Sequence, residues 1–190
     1  SIECAHAGVT TGEWTDTLRK IYGEYRAPTG VGKTSKIETR THKEINERIN
    51  KLSIKLKRRV KLLVGKPGLD GHSSGAEQIS VAARDAGIEV VYQGIRLTPE
   101  QIVNTAIEES VHMIALSILS GSHLSLTEET IKLLKKNKIS NIPLVIGGII
   151  PVEDEKKMLK LGVSRIYTPK NYDVNSIMLD FANILEKHYL

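Results

Sequence analysis

Val60-Lys61-Leu62-Leu63-Val64-Gly65-Lys66-Pro67-Gly68-Leu69-Asp70-Gly71-His72-Ser73-Ser74-Gly75 is the stretch on which the reading of this chain turns. A short apolar run of strand length passes directly into a loop in which four of the eleven residues from 65 to 75 are glycine. A helical pattern follows at about 75–86. Strand, loop and helix in this order begin an α/β unit. The glycines let the backbone come close to a large ligand, at an entropic cost that binding can offset.

The same rhythm continues to the end of the chain. Apolar, β-branched runs at 60–64, 89–92, 113–118, 143–146 and 165–168 alternate with helical patterns at about 75–86, 99–109, 126–138, 153–161 and 174–188. Thr98-Pro99-Glu100-Gln101 sets a cap, a first-turn proline and a capping-box glutamine in order. Gly87 and Gly162 stand where helices should end in the left-handed conformation. The expected fold is α/β: a flavodoxin-like (Rossmann-like) five-stranded parallel sheet of order 2-1-3-4-5, with right-handed crossovers and helices on both faces. In such a sheet a ligand sits outside the carboxyl ends of the strands, at the switch between strands one and three.

Upstream, residues 1–59 read as a helical extension and linker, and residues 60–190 as the α/β domain. Trp14, Leu18, Ile21, Tyr22 and Tyr25 recur at helical spacing over 11–25, with Thr10 or Thr11 as cap. Pro28-Thr29-Gly30-Val31-Gly32 breaks that pattern and opens a polar stretch to about residue 41. A second helical pattern carries Ile45, Ile49, Leu52 and Leu56. The apolar stripe of this first third must pack on something, the following domain or another one. The opening Ser1-Ile2-Glu3, without a methionine and inside a helical pattern, is expected of a fragment of a longer protein.

Charge divides the chain in the same place. Residues 1–59 hold 13 Lys/Arg against 7 Asp/Glu, whereas 60–190 hold 14 against 15. The basic excess is densest at Lys51, Lys55, Lys57, Arg58, Arg59 and Lys61. With 4% aromatic residues it lacks the stacking groups of a nucleic-acid site, and reads as a solvated face. No apolar run approaches the roughly 20 residues of a membrane span. One cysteine, Cys4, excludes an internal disulfide framework and fits a reducing cytoplasm. Forty per cent apolar and 26% charged residues are the composition of an ordinary globular protein.

The chemistry concentrates on one rim of the sheet. Asp70 and His72 are two apart in a non-helical loop, so their side chains can converge. A metal-ligating imidazole usually donates its other N–H to a carboxylate, which fixes the tautomer. Lys66 is near enough to modulate that carboxylate. The glycine spacing matches neither dinucleotide nor Walker loops, and one cysteine with distant His112 and His123 argues against zinc. Ser117-Ile118-Leu119-Ser120-Gly121-Ser122-His123 follows strand three and Gly147-Gly148-Ile149-Ile150-Pro151 follows strand four. Small residues at three strand ends leave a slot between them.

Asp70, His72 and Gly75, then Ser117 and Leu119, then Gly147 and Gly148 together resemble the D-x-H-x-x-G, S-x-L and G-G pattern of the cobalamin-binding domain shared by corrinoid-dependent mutases and methyltransferases. The resemblance implies that cobalamin binds with its dimethylbenzimidazole base off cobalt, that His72 replaces the base as axial metal ligand, and that Asp70 holds the imidazole. The nucleotide tail would enter the slot, its base near Ser117 and its chain passing Gly147 and Gly148. The cofactor-binding set so implied is Lys66, Gly68, Asp70, Gly71, His72, Ser73, Gly75, Ser117, Leu119, Ser120, Gly121, Gly147, Gly148, Tyr167 and Thr168; none of them is implied to be catalytic.

Lys66-Pro67-Gly68-Leu69-Asp70-Gly71-His72 looks like the acyl-CoA mutase branch, within the methylmalonyl-CoA mutase family. Gly75-Ala76-Glu77-Gln78-Ile79, Tyr92 to Pro99 and Tyr167-Thr168-Pro169-Lys170 resemble the ethylmalonyl-CoA mutase group. The segment from Gly12 to Pro28 looks like the end of a catalytic barrel and the start of its linker. The implied cofactor is adenosylcobalamin, whose cobalt–carbon homolysis starts a radical rearrangement of an acyl-CoA. The implied partner is an (α/β)8 barrel, as domain or subunit, that binds the acyl-CoA; without it the chain is not expected to turn over substrate. A homo-oligomer is compatible with this reading, while nucleic acid and membrane are not expected partners. A corrinoid shuttle for methyl transfer would bring a helical bundle ahead of the domain, and two amphipathic helices around a Pro/Gly break are too little for one. A cobalamin sensor would need an output module, for which the basic stretch at 51–61 is the sole candidate.

Overall fold

The computed structural model describes residues 1–23, 40–171 and 173–190. The chain divides into two compact units, Ser1–Ile37 and Glu38–Leu190. The first contains helices α1 (Ile2–His6) and α2 (Thr11–Tyr22). Thr10 caps α2: its hydroxyl accepts the Glu13 N–H while the Glu13 carboxylate accepts the Thr10 N–H. Neither helix has a buried residue. Tyr25, the break at 28–32 and the polar stretch as far as residue 39 lie outside the described residues.

The second unit opens with α3 (Arg40–Leu56) and then alternates β1 (Lys61–Gly65), α4 (Ser74–Asp85), β2 (Glu89–Tyr92), α5 (Pro99–Glu108), β3 (Met113–Ile118), α6 (His123–Lys136), β4 (Leu144–Gly148), α7 (Val152–Leu161), β5 (Arg165–Tyr167) and α8 (Val174–Tyr189). The five strands form one sheet in the order β2-β1-β3-β4-β5, every pair parallel. The flavodoxin-like fold expected from the pattern is thus the one found. Its capping box at Thr98 and Gln101 is present, and Gly162 ends α7 at φ +111°.

Because strand side chains alternate between faces, each strand feeds two cores. Leu62, Val64, Met113, Ala115, Val145 and Tyr167 point to one face, where they meet α3, α4 and α8. Leu63, Ile114, Leu116, Ile118, Leu144 and Ile146 point to the other, packed with α5, α6 and α7 residues such as Ile102, Leu134 and Met158. Both faces of a central strand are therefore apolar, which is why the strands read as continuous apolar runs.

Two elements differ most from the sequence expectation, for physical reasons. Strand β4 runs two residues further, through Gly147 and Gly148, which pair with Ser117 and Ile118. Glycine has little strand propensity, so the sequence signal fades while the ladder continues. Helix α6 starts at His123 instead of about 126, because its serine-rich first turn carries little helical signal. The compact unit also begins ahead of residue 60: Ile45, Ile49 and Leu52 of α3 are buried in the first core. Arg48 fastens the same helix to α8 through Glu186, at 2.5 and 2.9 Å, and Asn183.

At the amino-terminal end of the sheet His112 is buried. Its Nδ1 accepts the Lys61 N–H at 2.9 Å, so the ring proton sits on Nε2, which has no partner. Burial first, then the charges of Arg58 and Lys61 against that of Glu89, lower its pKa to about 4.

Two outcomes follow from this packing. Ile49→Ala should destabilise the chain by about 2–5 kcal/mol in urea unfolding, although Ile49 precedes the first strand. A buried neutral histidine binds its proton less readily folded than unfolded, so its stabilisation is complete above about pH 6.5 and is lost as pH falls towards 4. Urea midpoints across that window should show a loss of about 2 kcal/mol that His112→Gln removes.

Candidate functional site

The loop after β1 is fixed at its root. Gly68 N–H donates to Leu97 O at 2.9 Å and Leu97 N–H to Lys66 O at 3.0 Å, extending the pairing of β1 and β2 past their ends. Gly68 has φ +89°, and a Cβ there would lie 3.0 Å from Leu126 Cδ1. Only glycine fits both conditions. Beyond Leu69 the loop stands on the carboxyl-terminal rim of the sheet, the edge on which the sequence places the ligand.

Lys66 is 1% exposed, and a buried ammonium is costly unless it is paired. Its Nζ lies 3.4 Å from Asp70 Oδ2 and 3.3 Å from the Ser117 carbonyl oxygen, with Ser117 Oγ at 3.5 Å. The other carboxylate oxygen, Asp70 Oδ1, accepts the backbone N–H of His72 at 3.0 Å and stands 2.6 Å from His72 Nδ1. These His72 bonds, helped by the charge of Lys66, pull the Asp70 carboxyl down to about 2. An ionised carboxylate only accepts, so in the neutral imidazole Nδ1 carries the proton and Nε2 the lone pair. The His72 side chain is 82% exposed while Asp70 beneath it is 11% exposed. The arrangement is an outward-facing nitrogen donor on a buried ionic base.

Beside it, on the α4 and α8 face, lies a cleft of about 340 Å³. That is at the small end of ligand pockets, which run from about 300 to 1,000 Å³. Gly75, Ser117, Leu119, Gly147, Gly148, Tyr167 and Thr168 line it. Strand alternation explains the set: Ser117 follows Ala115 onto this face, as Gly147 follows Val145. Lys66, Gly68, Asp70, Gly71, His72, Ser73, Ser120 and Gly121 are not in its lining. Of these, Lys66 joins the two groups through Ser117. Gly71 approaches Arg96, and Ser120 Oγ bonds Ser122 Oγ at 2.7 Å.

Sequence reasoning missed much of the cleft. Its floor is Val64, Ala115 and Val145, and one wall is Val174, Ile177 and Phe181 of α8. The 174, 177, 181 spacing was visible, but a core stripe has the same period. The Tyr167 hydroxyl is buried without a hydrogen bond, and burial, with the nearby Asp180, pushes its pKa up.

Set against known proteins, residues 60–170 match the B12 binding domain family model. The chain belongs to the B12-binding domain family. Cobalamin is accordingly what this domain binds, and the relatives place it among the cofactor domains of acyl-CoA mutases. It is 46% identical over 98% of its length to the ethylmalonyl-CoA mutase of Cereibacter sphaeroides, of which it spans 28%. It is 39% identical over 62% of its length to the 2-hydroxyisobutanoyl-CoA mutase small subunit of Aquincola tertiaricarbonis, covering 89% of that protein. A cobalamin-binding protein from Desulfitobacterium hafniense has the same fold, with a TM-score of 0.57, 19% identity, and coverage of 91% of this chain and 76% of that one. Among the described residues, no helix is long and apolar enough to cross a membrane.

The two adjacent glycines of β4 have different duties in this B12-binding domain. A Cβ on Gly148 would lie 1.8 Å from the Ile118 carbonyl oxygen, whereas one on Gly147 would meet nothing nearer than Tyr167 O at 4.0 Å. Gly148→Ala should therefore destabilise the fold by about 3 kcal/mol, through a clash with backbone. Gly147→Val should keep the thermal midpoint near wild type and weaken cobalamin binding about tenfold or more, seen by absorbance titration.

Proposed function

We propose that this chain holds adenosylcobalamin base-off, with His72 as the lower cobalt ligand, as the cofactor domain of a radical acyl-CoA carbon-skeleton mutase. The observation that carries the reading is the 2.6 Å contact between His72 Nδ1 and Asp70 Oδ1, beneath an exposed ring. That contact leaves Nε2 as the one free donor on the ring and fixes its direction.

The residues fit the cofactor on two counts. Among the described residues, no group of three or more His, Cys, Asp or Glu side chains could hold a bare metal ion. A metal on His72 must then bring its other ligands with it, as a corrin does. Adjoining the histidine loop is a slot whose floor and α8 wall are hydrocarbon, suited to a flat base released from cobalt.

When bound, adenosylcobalamin supplies a cobalt–carbon bond whose homolysis starts radical chemistry on an acyl-CoA. The chain itself supplies position. The bonds from His72, helped by Lys66, keep Asp70 ionised, Asp70 keeps the His72 proton on Nδ1, and His72 presents Nε2 outward. Gly75 and Gly147 leave the slot open for the nucleotide tail, with Ser117 at its side. The acyl-CoA site and the groups that handle the radical belong to an (α/β)8 barrel, as domain or subunit. The B12-binding domain is inactive on substrate without it, and works in the cytoplasm.

His72→Ala should abolish the displaced-base, histidine-ligated absorbance spectrum while far-ultraviolet circular dichroism stays unchanged. In the cobalt(II) state of the wild type, the nitrogen hyperfine splitting should change when the protein carries [15N]histidine. Asp70→Asn should keep the ligand but weaken cobalamin binding roughly 10- to 100-fold, as losing the partner of a metal-bound histidine does. A histidine-ligated spectrum in His72→Ala overturns the assignment.

A further inference from the structure

We infer that Arg96 is a further cofactor-binding residue, whose guanidinium holds a carboxamide at the edge of the corrin on the side of His72 away from the cleft. This goes beyond the base-off reading above but rests on it. The backbone at Arg96 is strained without a local cause.

Among the described residues, four that are not glycine have positive φ: Lys57, Arg96, Ser110 and Lys138. Lys57, Ser110 and Lys138 each stand within two residues of the end of a helix, where the left-handed conformation is a common cap. Arg96, at φ +61°, follows no helix. It lies in the loop between β2 and α5, two residues after Gly94 at φ +90°. Glycine would take this conformation with less strain, so the reason for an arginine here lies in its side chain.

Arg96 is exposed, and among the described residues its guanidinium has no hydrogen bond or ion pair. Its place is nonetheless set. The next residue, Leu97, gives its N–H to Lys66 O and accepts the Gly68 N–H, which pins the loop to the end of β1. Arg96 Nη2 comes within 3.9 Å of a Cβ built on Gly71, the residue before His72. The strand order β2-β1-β3-β4-β5 puts this loop on one side of the histidine, while the cleft opens from β1 towards β5 on the other. An axial bond by itself lets a macrocycle turn about the metal–nitrogen axis, and a tail in the cleft restrains one side only. Neighbouring strands are about 4.8 Å apart, less than the width of a corrin, so a corrin over the β1 loop overhangs the loop after β2. Its periphery carries carboxamides, whose carbonyl oxygens accept what a guanidinium fork donates. Arg96 meets the ring there as a second restraint.

Absorbance titrations of the full chain with cobalamin, and with the separate cobalamin monocarboxylates in which one peripheral carboxamide is hydrolysed to a carboxylate, test this. Arg96→Leu and Arg96→Gly should keep the histidine-ligated spectrum and raise the cobalamin Kd about tenfold. Arg96→Gly should at the same time hold or raise the thermal midpoint, because it relieves the strained φ. A residue with only a structural role would lower midpoint and affinity together. One monocarboxylate, the isomer whose carboxylate faces Arg96, should lose about tenfold more than cobalamin does on Arg96→Leu. Arg96→Lys, which keeps the charge, should restore most of that extra loss. An unchanged cobalamin Kd in both Arg96→Leu and Arg96→Gly overturns the inference and leaves the base-off reading standing, as does an equal loss for every monocarboxylate. A midpoint that falls with affinity in Arg96→Gly overturns it too. Absence of the histidine-ligated spectrum in the wild type with cobalamin instead overturns the base-off reading, and this inference with it.

Discussion

A lysine with almost no contact with water is the most expensive group in the carboxyl-terminal half of the sheet. Lys66 follows the last residue of β1, where its stem is walled in by the ends of the neighbouring strands. Two things offset the cost of removing its charge from solvent: the Asp70 carboxylate and the carbonyl oxygen of Ser117. The first belongs to the histidine loop and the second to the end of β3. One buried ammonium therefore holds together a loop that is otherwise rich in glycine and a strand end that borders the cleft. Taking away the carboxylate would leave an uncompensated charge, a more severe loss than that of one hydrogen bond. The carboxylate is kept ionised chiefly by its two bonds from His72, with this pairing in support, and on that ionisation the tautomer of His72 depends.

The cleft itself follows from parity and size. Residues alternate across each strand, so the side chains that continue Ala115, Val145 and the rest of the first core past the helix-covered region fall on the α4 and α8 face. At 75 and 147 the sequence puts glycine, and at 117 serine, so the core that fills this layer lower down is replaced near the rim by space. Gly148, on the opposite parity, answers a different need: β3 and β4 approach so closely there that no side chain fits. Two neighbouring residues of identical type are retained for unrelated physical causes.

How much of this was legible in the sequence differed from part to part. Strand positions came through because central parallel strands are apolar on both faces, and Thr98, Gly87 and Gly162 marked helix ends by their own chemistry. The convergence of Asp70 and His72 was legible because two residues apart in a loop is a local relation. The α8 wall was not, since Val174, Ile177 and Phe181 have the spacing of any core-facing stripe and only the tertiary fold shows that part of the stripe overlooks a gap. Helix α3 groups with the extension in the sequence for a similar reason. Its apolar residues asked for a partner, but the sequence does not say that the partner lies on α8, some 135 residues away. Gly147 and Gly148 looked alike in the sequence because parity beyond the apparent end of a strand cannot be followed through residues that lack side chains.

The pairing of Gly68 with Leu97 shortens the tether that carries the imidazole. Measured from that anchor, four residues reach His72, and a chain extends about 3.3–3.6 Å per residue, so the His72 Cα is confined within roughly 14 Å of the anchor. For a metal whose carrier was already seated in the adjoining cleft, a donor kept in so small a volume would act at high effective concentration. The same stitch passes through Leu97, so any displacement of the chain between β2 and α5 would be transmitted to the donor from behind, by an element that touches neither the metal nor the cleft floor.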